Sequence, residues 1–250
     1  MILLLGGTSE SLTIADMLTS LQRDFVLSVT TKYGAELARQ HASQVHLGAI
    51  LPADFDDFFS NHQISLVIDA THPFARSIST HVIIAARQNR IPYIRFERQQ
   101  MHGEGPFLRV VDDTEAAIKF LQQRKGTVYL STGSKTASEF ATKLGVERLH
   151  VRVLPTPKVM GMLAEVGYQA NQVDAIQGPF SKALNVELIK RTAAKFVVTK
   201  ESGRRGGLPE KIQACQALQI VCLVIKRPAV DYPDVTGSFD ELKQRLEGRL

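Results

Sequence analysis

Several short stretches place polar residues where backbone and side chains could hold an anion or move a proton. GGTSES at 6–11 follows an apolar run and opens an amphipathic one. Gly6 and Gly7 would let the backbone approach a diphosphate, the helix start would add N–H groups and positive potential, and Thr8, Ser9 and Ser11 could add donors, with Glu10 in the same turn. The stretch is not a strict G-x-G-x-x-G, so a tight turn with a serine cap is equally compatible with it. DATHPFA at 69–75 ends another apolar run with Thr71, His72, Pro73 and Phe74. There His72 is either a structural ring or a contact to substrate and nicotinamide. Asp69, inside the apolar run, reads as a structural acid, and Pro73 as the first residue of a helix.

The second run ends in Ser28-Val29-Thr30-Thr31-Lys32. Where an acid would hold ribose hydroxyls, this chain offers hydroxyls and a cation, which suits a 2′-phosphate. Contacts from Lys32 and from Thr30 or Thr31 would each contribute about 1.5–3 kcal/mol, a roughly tenfold or greater preference; the alternative is a solvated surface lysine. Further along come Arg95 and Arg98, Thr132-Gly133-Ser134-Lys135, Arg152 within a buried-looking strand, Ser181 after a glycine-proline turn, and Lys200, Ser202 and Arg204 in a basic glycine-containing loop. An arginine in a buried strand needs an anionic partner or a wet cleft.

The elements that must position these residues are short apolar runs alternating with amphipathic stretches, the pattern of parallel sheets covered by helices. Strands are expected at 2–5, 25–29, 44–47, 66–70 and 92–95, and again at 107–111, 127–130, 149–154, 196–199 and 220–225. Ala75, Ile78, Val82, Ala85 and Ala86 would form one apolar helix face. QQMHGEGP at 99–106 breaks the alternation. The expected organisation is therefore α/β, with two Rossmann-like domains of mostly parallel sheet, 1–98 for the nicotinamide cofactor and 99–250 for the substrate, and an interdomain cleft.

A formal net charge of +5 with interspersed charges favours a polyanionic partner. No long basic helix or aromatic-interleaved basic strand speaks for nucleic acid. No apolar run is long enough for a membrane span, and the opening residues lack signal-peptide features, so a cytoplasmic location is expected. The histidines lack metal-ligand spacing, so no metal is expected. Cys215 and Cys222 read as reduced core thiols. None of Tyr33, Tyr93, Tyr129, Tyr168 or Tyr232 has a lysine four residues on, which argues against a Tyr-Lys reductase or epimerase.

Taken in order, GGTSES, DATHPFA, RFER at 95–98, TGSK at 132–135, RVLP at 152–155, QGPFS with Asn185, and TKESG with the following GG and EK resemble the precorrin-6A and cobalt-precorrin-6A reductases of cobalamin biosynthesis. The resemblance spans nearly the whole chain; Gln99 departs from a proline seen in many relatives. It implies hydride transfer from NADPH, with NADH the alternative, to the C18–C19 double bond of a polycarboxylate tetrapyrrole, giving precorrin-6B. It also implies cofactor contacts at residues 6–11, Thr30, Lys32 and Thr71, and His72 and Phe74 near the reacting ring. Arg95, Arg98, Lys135, Arg152, Ser181, Lys200, Ser202 and Arg204 would hold carboxylates, and water, His72 or Lys200 would serve as proton source. Other enzymes of the cobalamin pathway would be its protein partners. Two rival readings are an NADPH-dependent reductase of another polycarboxylate and a nucleotide-binding module without chemistry.

Overall fold

The computed structural model describes residues 1–97, 105–178, 180–203 and 206–248. The chain forms two compact units, one made of Met1–Gln99 with Ala229–Leu250 and the other of Gln100–Pro228.

The first unit runs β1 (Ile2–Leu5), α1 (Ser9–Ser20), β2 (Phe25–Val29), α2 (Lys32–Ala38), β3 (Val45–Leu47), α3 (Phe55–Asn61), β4 (Leu66–Asp69), α4 (Arg76–Gln88) and β5 (Tyr93–Phe96). The second runs β6 (Leu108–Val111), α5 (Thr114–Gln122), β7 (Val128–Leu130), α6 (Ser134–Leu144), β8 (Leu149–Val153), α7 (Pro157–Val166), β9 (Val173–Ala175), α8 (Lys182–Lys190), β10 (Phe196–Lys200), α9 (Leu208–Leu218) and β11 (Val221–Ile225). The chain then returns to the first unit with β12 (Val235–Thr236) and α10 (Phe239–Glu247). Every strand read from the sequence is present, its ends shifted by at most one residue.

Among the described residues each unit holds one six-stranded sheet, ordered β12-β5-β4-β1-β2-β3 and β6-β11-β10-β7-β8-β9, with every pairing parallel. Unbroken apolar runs are needed because helices cover both faces. Leu4, Leu27, Ile68 and Ile94 pack in one core of the first unit and Leu3, Val26, Val67 and Tyr93 in another, as the two-residue period of a strand requires. In the first sheet β1 and β4 are neighbours whose following connections diverge to opposite sides, and in the second β7 and β10 play the same part. Each such switch point opens a crevice at the strands' carboxyl ends.

The expected domain limit of 99–250 is corrected by the C-terminal return. Val235 pairs with Arg95 and Thr236 with Phe96, Leu242 and Leu246 are buried in the first unit's core, and Phe239 stacks on Phe96 at 4.6 Å. These apolar side chains cover an edge that residues 1–98 would leave open. The expected helix start at Pro73 is also corrected, since α4 begins at Arg76. Pro73 instead occupies a turn in which the Ala75 N–H donates to the His72 carbonyl at 2.7 Å, a position its fixed φ suits. Ala75 consequently caps α4, and the buried face is Ser79, Val82, Ala85 and Ala86. Cys215 and Cys222 are buried free thiols. Among the described residues no helix is long and apolar enough to cross a membrane.

Candidate functional site

At the first switch point the glycine loop leaves β1. Gly6 donates its N–H to the Ser28 carbonyl at 2.9 Å, and a Cβ there would lie 2.7 Å from Leu27 Cδ1. Only glycine fits. Gly7 has φ +101° with open space beside it, so backbone is presented without a side chain in the way. Thr8 caps α1 in a capping box with Ser11. The Thr8 hydroxyl accepts from the Ser11 N–H at 3.2 Å and donates to the Ala70 carbonyl at 2.7 Å, while Ser11 Oγ donates to the Thr8 carbonyl at 2.7 Å. The hydroxyls of Thr8 and Ser11, expected as diphosphate donors, are engaged within the loop and shape it. Ser9 is exposed, with its hydroxyl donating to buried Glu10 Oε2 at 3.2 Å. What the loop offers an anion is backbone at Gly7 and the start of α1, with Ser9 beside it.

The Thr8–Ala70 bond ties this loop to the one leaving β4. Asp69, 0% exposed, anchors that second loop. It accepts from the Thr71 N–H at 3.0 Å, Thr71 Oγ1 at 2.7 Å, Ser79 Oγ at 2.6 Å, Tyr93 Oη at 2.8 Å and Arg95 Nη1 at 2.8 Å. Arg95 also donates to Glu97 at 2.8 Å and to the Thr71 carbonyl at 3.0 Å, and lies 5.0 Å from the centre of the Tyr232 ring. Burial pulls its pKa down, but Asp69 and Glu97 outweigh it and raise it. Arg95 and Thr71 were expected at ligands; Asp69 engages both internally, and their hydrogen bonds hold the backbone beneath His72. His72 is half-buried. Its Nδ1 accepts the Phe74 N–H at 3.2 Å, which puts the neutral ring's proton on Nε2, and the Phe74 ring lies 5.8 Å away at 46°. Thr30 and Lys32 are exposed at the end of β2, the strand beside β1. Thr31 caps α2 there by accepting from the Gly34 N–H.

The second switch point is cationic. Gly133, at φ +82°, precedes α6, and exposed Lys135 stands in that helix's first turn. Lys200 ends β10; burial, then the charge of Lys135, lowers its ammonium pKa. Lys200 at the end of β10 and Lys135 at the start of α6 thus lie close enough for one charge to act on the other, an arrangement suited to an anion. Ser202 is buried and its hydroxyl donates to the Gly206 carbonyl at 3.2 Å, folding the loop. Ser181 caps α8 by accepting from the Leu184 N–H at 3.2 Å. Arg152 is 7% exposed. Its Nη1 donates to Asn185 Oδ1 at 2.8 Å and its guanidinium lies 4.5 Å from the centre of the Phe180 ring. Burial lowers its pKa. Arg98 and Arg204 lie outside the described residues.

Two features escaped the sequence reading. Tyr129 Oη donates to Asp174 Oδ2 at 2.7 Å, and Arg191 pairs with the other oxygen. Burial would raise Asp174, but hydrogen bonds from His150, Tyr129 and Arg191 bring it to about 2. The second is Lys211, whose signal was a lysine at the spacing of the buried residues of α9. Among the described residues no His, Cys, Asp or Glu cluster is arranged to hold a metal. An open cleft of about 760 Å³ in the first unit, lined by Met1, Arg23, Ser65 and Pro92 among others, lies at the opposite end of the sheet from the glycine loop and is not the candidate site.

Two parallel, doubly wound sheets, one with a glycine loop locked to a histidine loop and one with paired lysines at its switch point, define a Rossmann-like α/β protein. The family model for precorrin-6x reductase CbiJ/CobK matches residues 1–247. The chain is 34% identical to "Cobalt-precorrin-6A reductase" of Priestia megaterium, covering 98% of each chain. It is 31% identical to the protein of that name from Methanocaldococcus jannaschii, covering 96% of each. The solved structure "CobK precorrin-6A reductase" superposes with a TM-score of 0.81 at 25% identity, covering 99% of this chain and 96% of that one. The chain belongs to the precorrin-6x reductase CbiJ/CobK family, and so is an oxidoreductase.

Proposed function

We propose that the protein reduces the C18–C19 double bond of precorrin-6A, in its cobalt form, to the corresponding precorrin-6B, with NADPH as hydride donor. The cobalt substrate follows the names of the relatives from Priestia megaterium and Methanocaldococcus jannaschii. The observation that carries the reading is the 2.7 Å bond from Thr8 Oγ1 to the Ala70 carbonyl, which holds the glycine loop and the His72 loop together at one switch point. The open space beside Gly7 fits a nucleotide diphosphate, and Lys32 and Thr30 fit a 2′-phosphate.

The nicotinamide would supply the hydride, and the residues bind, orient and manage the proton. Gly6, Gly7 and Ser9 with the start of α1 hold the diphosphate, and the clamp of Asp69 and Arg95 fixes His72 and Phe74 against the reacting ring. Lys135, Lys200, Arg152 and Ser181 hold ring carboxylates. One carbon of the double bond takes a hydride and the other a proton, delivered by the Lys200 ammonium or by a water that His72 Nε2 orients. Purified protein mixed anaerobically with NADPH and cobalt-precorrin-6A should lose absorbance near ~340 nm as hydride leaves the nicotinamide. His72→Ala should slow that loss, chiefly in kcat. A wild-type protein that binds NADPH and leaves it unoxidised in the presence of the ring would refute the reading.

A further inference from the structure

The stripe by which α9 packs on the second sheet contains a lysine. Leu208, Ala214 and Cys215 are its buried residues, and Lys211 lies one helical turn from each, on the same face. That face joins the core of Tyr129, Val197 and Cys222. An ammonium here is costly because burial disfavours the charge and because a helix start already carries positive potential. Burial, then the charge of Arg152, holds its pKa down to about 8 against the opposing pull of Cys222 and Glu210. Nζ donates to the Gly206 carbonyl at 2.9 Å, which uses one of three protons. Among the described residues it forms no ion pair.

The sheet beneath has a matching demand. Thr199 is 0% exposed and its Oγ1 has no hydrogen-bond partner among the described residues. Val198 pairs with Leu130 and Leu130 with Val151, so the next residues along, Thr199 and Arg152, stand in one row two strands apart, about 10 Å. Thr199 shares its face with Val197 two residues earlier, and Arg152 shares its face with His150, the partner of Tyr129. Both therefore face α9's side of the sheet. The result is two cations and a spare hydroxyl donor gathered on one face.

We propose that Lys211, Arg152 and Thr199 form a carboxylate subsite for the tetrapyrrole, with Lys211 a substrate-positioning residue. The proposal rests on the functional reading above. It adds Lys211 and Thr199 to Arg152 as an anchor on the α9 face of the sheet, distinct from Lys200 at the end of β10 and Lys135 at the start of α6. A ring carboxylate would neutralise the two cations and accept from Thr199.

Isothermal titration of cobalt-precorrin-6A without nucleotide, alongside steady-state kinetics, tests it. Lys211→Met, which keeps the length and removes the charge, should weaken ring binding about tenfold or more, with the NADPH KM within about twofold and no fall in Tm. Lys211→Arg should restore most of the affinity, and Thr199→Val should lose several-fold. Unchanged ring affinity in Lys211→Met and Thr199→Val, with wild type binding and turning over normally, would overturn the subsite alone. A loss of NADPH affinity in place of ring affinity would assign the cations to the cofactor. If wild type itself does not bind the ring, both the subsite and the functional reading fall.

Discussion

Arg95 Nη1 and Asp69 Oδ1 meet at 2.8 Å with side chains 1% and 0% exposed, and around this pair the loop carrying Thr71 and His72 is built. Removing one partner leaves a buried charge without compensation, at a cost of about 3–5 kcal/mol. Arg95→Ala should therefore lower unfolding free energy by that order in denaturant titration and lower kcat, with little change in the KM for the tetrapyrrole. A large rise in that KM at unchanged stability would return Arg95 to the substrate.

Gly6→Ala places a methyl against Leu27 Cδ1, which would be 2.7 Å away, so either the buried Leu27 side chain or the glycine loop must shift. The expected outcome is a rise in the NADPH KM of about tenfold or more. Leu27→Ala in the same chain should recover part of the loss, because the two sites share one contact.

Lys32→Glu should raise the KM for NADPH far more than that for NADH, since an acid at the end of β2 repels a 2′-phosphate and suits free ribose hydroxyls. Equal effects on the two cofactors would remove Lys32 from the phosphate.

Asp174 gives the fold an acid-sensitive element. Its carboxyl is held at about 2, against 3.8 for an ordinary aspartate. A depressed folded-state pKa contributes stability that is present above about 3.8 and lost as pH falls through about 2. The stability difference between wild type and Asp174→Asn, followed by denaturant unfolding, should shrink across that window. A difference independent of pH there would contradict the assignment.

Much of this was legible in the chain because a parallel sheet demands apolar runs on both faces, and those runs located ten strands. The strand β9 escaped because Asp174 interrupts its apolar residues, and β12 because a two-residue pairing is too short to show a period; with β12 went the return of the chain to the first unit. The loops were located correctly, but side-chain roles within them were not all readable. A threonine or serine beside a helix start looks the same whether it caps the helix, as Thr8 and Ser11 do, or meets a ligand. Arg95 likewise reads as a strand-end cation until Asp69, distant in sequence, is seen beneath it. Asp69 itself behaves as the structural acid its apolar setting implied. Lys211 appeared in the sequence only within the EK of the final motif, and its spacing with the buried residues of α9 was the signal for a place on the packed face.

The most direct test follows the hydride. NADPH carrying deuterium on the transferable face of nicotinamide C4 is mixed anaerobically with the protein and cobalt-precorrin-6A, and the product is weighed by mass spectrometry. A single carbon-bound deuterium in the reduced ring, appearing more slowly at limiting NADPH in Gly6→Ala, is the predicted result. A reduced ring without deuterium, or deuterated NADPH recovered intact beside unreduced ring, would contradict it.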